Sequence, residues 1–91
     1  MNVGAEITVR GLVQGVGFRW FADKRARELG LKGCVKNLDL GDVLVQAEGE
    51  RAVIEELIER LHQGPSFSRV REVQVKWKEF TGQFKDFQIV G

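Results

Sequence analysis

Between Ala5 and Leu29 the apolar spacing switches from every second residue to the helical repeat of about 3.6, and the switch falls across one glycine-rich turn. Ala5, Ile7 and Val9 face one way and Glu6, Thr8 and Arg10 the other, the pattern of a half-buried first strand. The strand runs into Gly11 and then a turn carrying Gly15 and Gly17. From Phe18 onward Phe18, Phe21, Ala22, Arg25, Ala26 and Leu29 share one face of a helix, with Asp23, Lys24, Arg27 and Glu28 outside. Gly30 suits the stop.

The same two periods recur down the chain. A second strand covers 33–38, a turn at Asp39 to Asp42 has Gly41 at hand, and a third strand over 42–49 points Val43, Val45 and Ala47 inward. ERAVIEELIERLHQG then reads as an amphipathic helix with Val53, Ile54, Leu57, Ile58 and Leu61 as its stripe, ended by Gly64 and Pro65. A fourth strand is expected over Arg69 to Phe80, where Val73, Val75 and Trp77 alternate. After Thr81 and Gly82, a short last strand is expected to hold Phe84, Phe87 and Ile89. The order predicts an α+β, ferredoxin-like β-α-β-β-α-β sandwich: an antiparallel sheet, two helices on one face and a short extra C-terminal strand. With no linker, repeat or low-complexity tract, residues 1–91 are expected to form a single domain.

Two functions fit that layout, and both hang on the octapeptide QGVGFRWF at 14–21. Its glycines and rings resemble the aromatic octapeptide of RNA recognition motifs, while a glycine turn opening a helix suits an anion. Charge speaks against RNA, since Lys and Arg total 14 against 13 Asp and Glu, a net +1. Position speaks against it too. The stacking octapeptide belongs inside a third strand, whereas here it enters the first helix, and the third strand offers Leu44, Gln46 and Glu48 on its outer face. Glycines let successive N–H groups curl toward one spot, and the helix N-terminus adds roughly +0.5 of a charge. A dinucleotide fingerprint would need glycine in place of Trp20, and no Gly-Lys-Ser/Thr is present, so the expected target is a small phosphoryl group rather than a nucleotide.

A second segment adds to this. Gly11 to Arg19, G-x-V-Q-G-V-G-F-R, and Gly33 to Gly49, G-C-V-K-N-x-x-x-G-x-V-x-x-x-x-x-G, together resemble the paired signature of the acylphosphatase family, over essentially the whole chain. The resemblance implies a ferredoxin-like fold, no cofactor, no metal, and hydrolysis of the carboxyl–phosphate bond of small acyl phosphates to a carboxylate and inorganic phosphate. It implies that Arg19 binds the phosphoryl group and is catalytic, that Asn37 positions the attacking water, and that the backbone N–H groups of Gln14, Gly15, Val16, Gly17, Phe18 and Arg19 form the phosphate loop. These residue types suit the chemistry. An acyl phosphate is already activated, so the enzyme has mainly to hold phosphoryl oxygens and aim a water. The planar fork of arginine donates two parallel bonds, and an asparagine amide grips water without adding charge.

The remaining candidates read as structural. No Cys-x5-Arg loop exists, because Leu40 stands six residues after Cys34. His62 is expected near the end of the second helix, favouring its dipole, and Asp39 and Asp42 as solvated turn residues rather than metal ligands. Cys34 departs from the family pattern, which commonly has an aromatic after this glycine; looser packing beside the strand of Asn37 is expected, with the thiol a small buried hydrophobe. The run Lys24-Arg25-Ala26-Arg27 reads as a solvated face, and Trp20 and Trp77 as packing residues, Trp20 also near enough to Arg19 to shape a pocket rim. One cysteine, no apolar run near ~20 residues and no secretion signature point to a cytoplasmic protein. A monomer with no nucleic-acid and no membrane partner is expected. The competing readings are a non-catalytic RNA- or partner-binding module and a phosphatase-like domain of a larger machine, as in hydrogenase-maturation carbamoyltransferases; the absence of a partner domain before the end at Gly91 counts against the second.

Overall fold

Extended backbone persists as long as one edge stays paired, and this makes the first strand longer than its apolar alternation. In the computed structural model, which describes residues 1–91, β1 spans Asn2–Leu12 rather than only Ala5 to Val9. It lies between β3 (Val43–Glu50), from Asn2 opposite Glu50 onward, and β4 (Arg69–Lys78), out to Leu12 opposite Arg69. Turn and helix follow as expected: α1 covers Phe18–Glu28, β2 Lys32–Asn37 and α2 Arg51–Gln63. The sheet order is β4-β1-β3-β2-β5, with the first four strands antiparallel. The extra strand β5 (Phe87–Ile89) joins β2 in parallel, making the sheet mixed.

The core lies between this sheet and its two helices. Ile7, Val9, Val35, Val43 and Val45 of the sheet meet Phe18, Ala22 and Ala26 of α1 and Ile54, Leu57 and Leu61 of α2, all buried. Fully burying a side chain such as Phe18 contributes about 1.5–3 kcal/mol. Ala22 and Ala26, having no atoms beyond Cβ, let α1 settle close to the strands. Arg25 lies at the edge of that face, half-buried: its guanidinium is 5.3 Å from the Phe21 ring centroid and pairs with Glu28. Such stacking covers apolar surface while keeping the charge wet. Two strands also approach closely at Gly33, where a Cβ would fall 1.8 Å from the Gln46 carbonyl oxygen. That spacing keeps β2, and with it Asn37, tight against β3.

Period-two alternation correctly puts Glu48 on the face of the sheet away from the helices, but it is not solvated there; only 7% of it is exposed. Its carboxylate accepts hydrogen bonds from Thr81 N at 2.9 Å, Thr81 Oγ1 at 2.7 Å and Gly82 N at 3.0 Å. The clamp holds residues 79–86 over the outer face of the sheet on their way from β4 to β5. That is why β4 stops at Lys78, short of Phe80, and why Phe84 stands outside the last strand. Hydrogen bonds to an ionised group contribute more than neutral ones, and removing the acceptor strands three donors. Glu48→Ala should therefore destabilise the protein by about 2 kcal/mol, lowering Tm by roughly 10 °C in calorimetry at neutral pH. A Tm within about 2 °C of the wild type would show that the clamp contributes nothing net.

Candidate active site

The loop between β1 and α1 is a row of backbone donors without acceptors. Gly15 and Gly17 have φ of 76° and 79°, and no residue other than glycine has positive φ, so Val16 between them turns the opposite way. Alternating signs of φ aim successive N–H groups into one concavity, the geometry of an anion nest. A Cβ at either glycine would touch nothing within 4 Å, so the requirement is for the backbone conformation, not for space. Gly17 is the N-cap of α1 and brings no side-chain cap, and the first turn holds no acidic residue. Phe21 N is the first helical donor, to Gly17 O at 3.0 Å; the N–H groups of residues 14 to 20 have no acceptor within the protein. Free donors at the positive end of a helix favour an external anion.

Phe18 holds the helix start in place, being buried and 5.9 Å from the Phe21 ring. The next residue, Arg19, projects over a cavity of about 210 Å³ lined also by Gly15, Gly17, Trp20, Ile89 and Asn37. Its Nη1 donates to Gly91 O at 3.3 Å, an exposed contact that leaves the rest of the fork available. Asn37 ends β2 opposite Val43, on the same side of the strand as the buried Val35. Its Oδ1 is buried and has no hydrogen-bond partner. With no partner in the protein, this acceptor is available to a water or ligand in the cavity it lines. Arg19 and Asn37, eighteen residues apart in the chain, thus line one cavity.

One side-chain contact of the loop was invisible in the sequence. Gln14, expected to serve only through its backbone, sends its side-chain Nε2 to Leu38 O at 2.8 Å and Asp42 O at 2.9 Å. These contacts span 24 and 28 residues and follow no local spacing, so only the folded chain reveals them.

Some of the other expectations hold and some need correction. Trp20 is 62% exposed, so it is a rim residue rather than a packing one, and Lys24 Nζ sits 5.1 Å from its ring centroid. Trp77 packs half-buried against the core, with the Arg51 guanidinium 4.2 Å from its ring. Cys34 is half-buried on the opposite face from Asn37, where its thiol donates to Gln46 Oε1 at 3.2 Å. Side chains one and three residues apart on a strand point to opposite faces, so this departure does not loosen the site. Burial pushes the Cys34 thiol pKa up, which lowers its reactivity. Asp42 is not a free turn residue but lies 3.3 Å from Arg10 Nε, close enough for an ion pair though not aligned as a hydrogen bond. In the basic run, Arg27 pairs with Asp23 at 3.1 Å and also donates to Phe87 O. His62 is exposed in the last turn of α2, as placed. No three His, Cys, Asp or Glu side chains gather as a metal site would require.

A larger cavity of about 370 Å³ lies on the open sheet face beside Glu6, Glu48 and Lys78. There Lys78 pairs with Glu6 at 3.0 Å and Glu48 is satisfied by Thr81 and Gly82. Three carboxylates, Glu6, Glu48 and Glu79, against one committed lysine repel an anion, so the smaller cavity suits a phosphate better.

Helices on one face of a β4-β1-β3-β2 sheet, with a nest and an arginine at the start of α1, define a ferredoxin-like sandwich. The family model for acylphosphatase matches residues 5–89. A curated acylphosphatase of Thermococcus kodakarensis is 46% identical over 90 residues, covering 99% of this chain and 98% of its own. The crystal structure of the Bacillus subtilis acylphosphatase superposes with a TM-score of 0.94 at 36% identity, covering 98% and 99% of the two chains. Full-length HypF, solved in a phosphate- and nucleotide-bound form, contains a similar unit: TM-score 0.87 and 36% identity over 100% of this chain but 12% of that one. The chain belongs to the acylphosphatase family and is an acylphosphatase enzyme.

Proposed function

We propose that this acylphosphatase hydrolyses small acyl phosphates with Arg19 and the 14–19 backbone holding the phosphoryl group and Asn37 holding the water. The observation that carries the assignment is the unpaired, buried Asn37 Oδ1 beside the cavity over which Arg19 and the uncapped loop stand. Bound there, the phosphoryl oxygens accept from the loop N–H groups and from the Arg19 fork. Asn37 Oδ1 accepts one water O–H, turning the water's lone pair toward phosphorus in line with the acyl oxygen. The bond from phosphorus to that oxygen breaks as the water oxygen bonds. A carboxylate leaves with the electron pair, and both water protons end on the dihydrogen phosphate product. A carboxylate is a weak base, so its departure needs no general acid.

The reading extends to a monomer acting in the cytoplasm on a diffusing small molecule, without nucleic acid. It is supported by the near-neutral charge of +1 and by the engagement of Lys24, Arg25 and Arg27 with neighbouring rings and carboxylates. No helix is long and apolar enough to cross a membrane.

The test is steady-state hydrolysis of benzoyl phosphate by the purified protein, with inorganic phosphate as inhibitor and with EDTA. Competitive inhibition by phosphate and an EDTA-insensitive rate are expected. Non-competitive inhibition, or a rate that collapses with EDTA and returns with a divalent cation, would defeat the proposed site or the metal-free chemistry respectively.

A further inference from the structure

The 38–42 turn that follows Asn37 closes on itself through two backbone bonds, Leu38 N to Asp42 O at 2.8 Å and Gly41 N to Leu38 O at 3.2 Å. A carbonyl oxygen has two lone pairs, so each of these acceptors can take a second donor. The Gln14 amide supplies both, bridging Leu38 O and Asp42 O with one nitrogen. Since carbonyls only accept, the partners themselves fix which end of the amide faces them. Gln14 begins the phosphate loop, and Leu38 directly follows Asn37. No other side chain of residues 14 to 19 hydrogen-bonds to this turn; Arg19 reaches Gly91 instead. The Arg10–Asp42 pair also touches the turn, but from β1 and not from the loop. Asn37 itself has no side-chain hydrogen bond within the protein, so its place relative to the loop depends on its backbone and on what holds that backbone.

We infer that Gln14 is a positioning residue for the hydrolysis: its side-chain amide registers the phosphate loop against the turn that directly follows Asn37, and so sets where the attacking water stands relative to the bound phosphoryl group. The inference rests on the role given to Asn37 above. The loop N–H groups and Arg19 lie on one side of the bridge and Asn37 on the other. Cutting the bridge therefore separates phosphate binding from water placement. In-line attack is sensitive to ångström-scale displacement, whereas anion binding by a nest and a guanidinium is not.

The experiment is a double-mutant cycle on the intact protein with benzoyl phosphate, reading kcat, the inhibition constant of inorganic phosphate and Tm. Gln14→Met keeps the length of the side chain without donors; Gln14→Glu presents only acceptors to the two carbonyls at neutral pH. For either variant that folds, kcat should fall by about 100-fold while phosphate inhibition changes by no more than about twofold. In an Asn37→Ala background, Gln14→Met should lower kcat by less than about threefold, because the water it helped to place is no longer held. The inference is overturned by a kcat near that of the wild type. Equal losses of kcat and phosphate affinity overturn it, as does the same fold-loss whether or not Asn37 is present. If Asn37→Ala alone leaves kcat intact, the role of Asn37 fails and the inference falls with it; if Asn37→Ala is damaging and Gln14→Met is not, only the inference fails.

Discussion

Replacing Arg19 with alanine is expected to lower kcat/KM by about 10³- to 10⁵-fold, the range seen when one arginine that neutralises a transferring phosphoryl group is lost. The size follows from the chemistry available. Nothing else in the cavity of Gly15, Gly17, Trp20, Ile89 and Asn37 carries a positive charge. The backbone donors that remain bind an anion but cannot supply a full cation as the leaving carboxylate develops. Lysine at this position is expected to recover less than about a tenth of the loss, because an ammonium cannot span two phosphoryl oxygens in parallel. Competitive inhibition by inorganic phosphate should weaken in both variants. Stability should barely move, since the contact Arg19 makes within the protein is a 3.3 Å bond to Gly91 O at the surface. Near-wild-type turnover by a folded Arg19→Ala protein would remove Arg19 from the mechanism.

The second large effect also separates catalysis from stability. Asn37→Ala should reduce kcat by about 10²- to 10³-fold, as when one oriented polar group is deleted from a transition-state site. Yet it deletes a buried acceptor that has no partner. That acceptor bonds no other group of the protein, so Tm of the alanine variant should stay within about 3 °C of the wild type. Phosphate inhibition should stay within about threefold, because the loop and Arg19 are untouched. Asn37→Asp has the same shape but brings a negative charge toward the phosphoryl group, so it should raise KM as well. A kcat for Asn37→Ala within about twofold of the wild type, in a protein of unchanged Tm, would show that the water is placed by something else.

Which parts of this were legible beforehand follows from how far each interaction reaches along the chain. The switch of apolar period at Gly15 and Gly17 depends on neighbours within one or two turns, and it correctly located β1, α1 and the loop between them. The amphipathic stripe of α2 is equally local, and Ile54, Leu57 and Leu61 are buried as expected. Glu48 was different. Alternation assigned it correctly to the outer face, but alternation knows nothing of residues 79–86, which fold back over it from about thirty positions further on. The same fold-back excludes Phe84 from the last strand and lets β5 enter parallel to β2. Cys34 shows the converse: its neighbourhood in sequence to Asn37 suggested a shared environment, and the pleat placed the two on opposite faces.

Sequence alone determined the elements and their order, because periodicity and turn chemistry are written in short-range spacing, and Arg19 and Asn37 entered as candidates through the family resemblance. Tertiary structure alone decided that those two residues line one cavity, that the Asn37 oxygen is left without a partner, and that Gln14 ties the loop of one to the turn of the other. Those facts depend on burial and on hydrogen bonds between carbonyls and an amide more than twenty residues apart. Every residue carries the same backbone carbonyl, so no sequence letter marks which ones Gln14 will meet; only the packing of β2 against β3 and of α1 against the sheet brings them within reach.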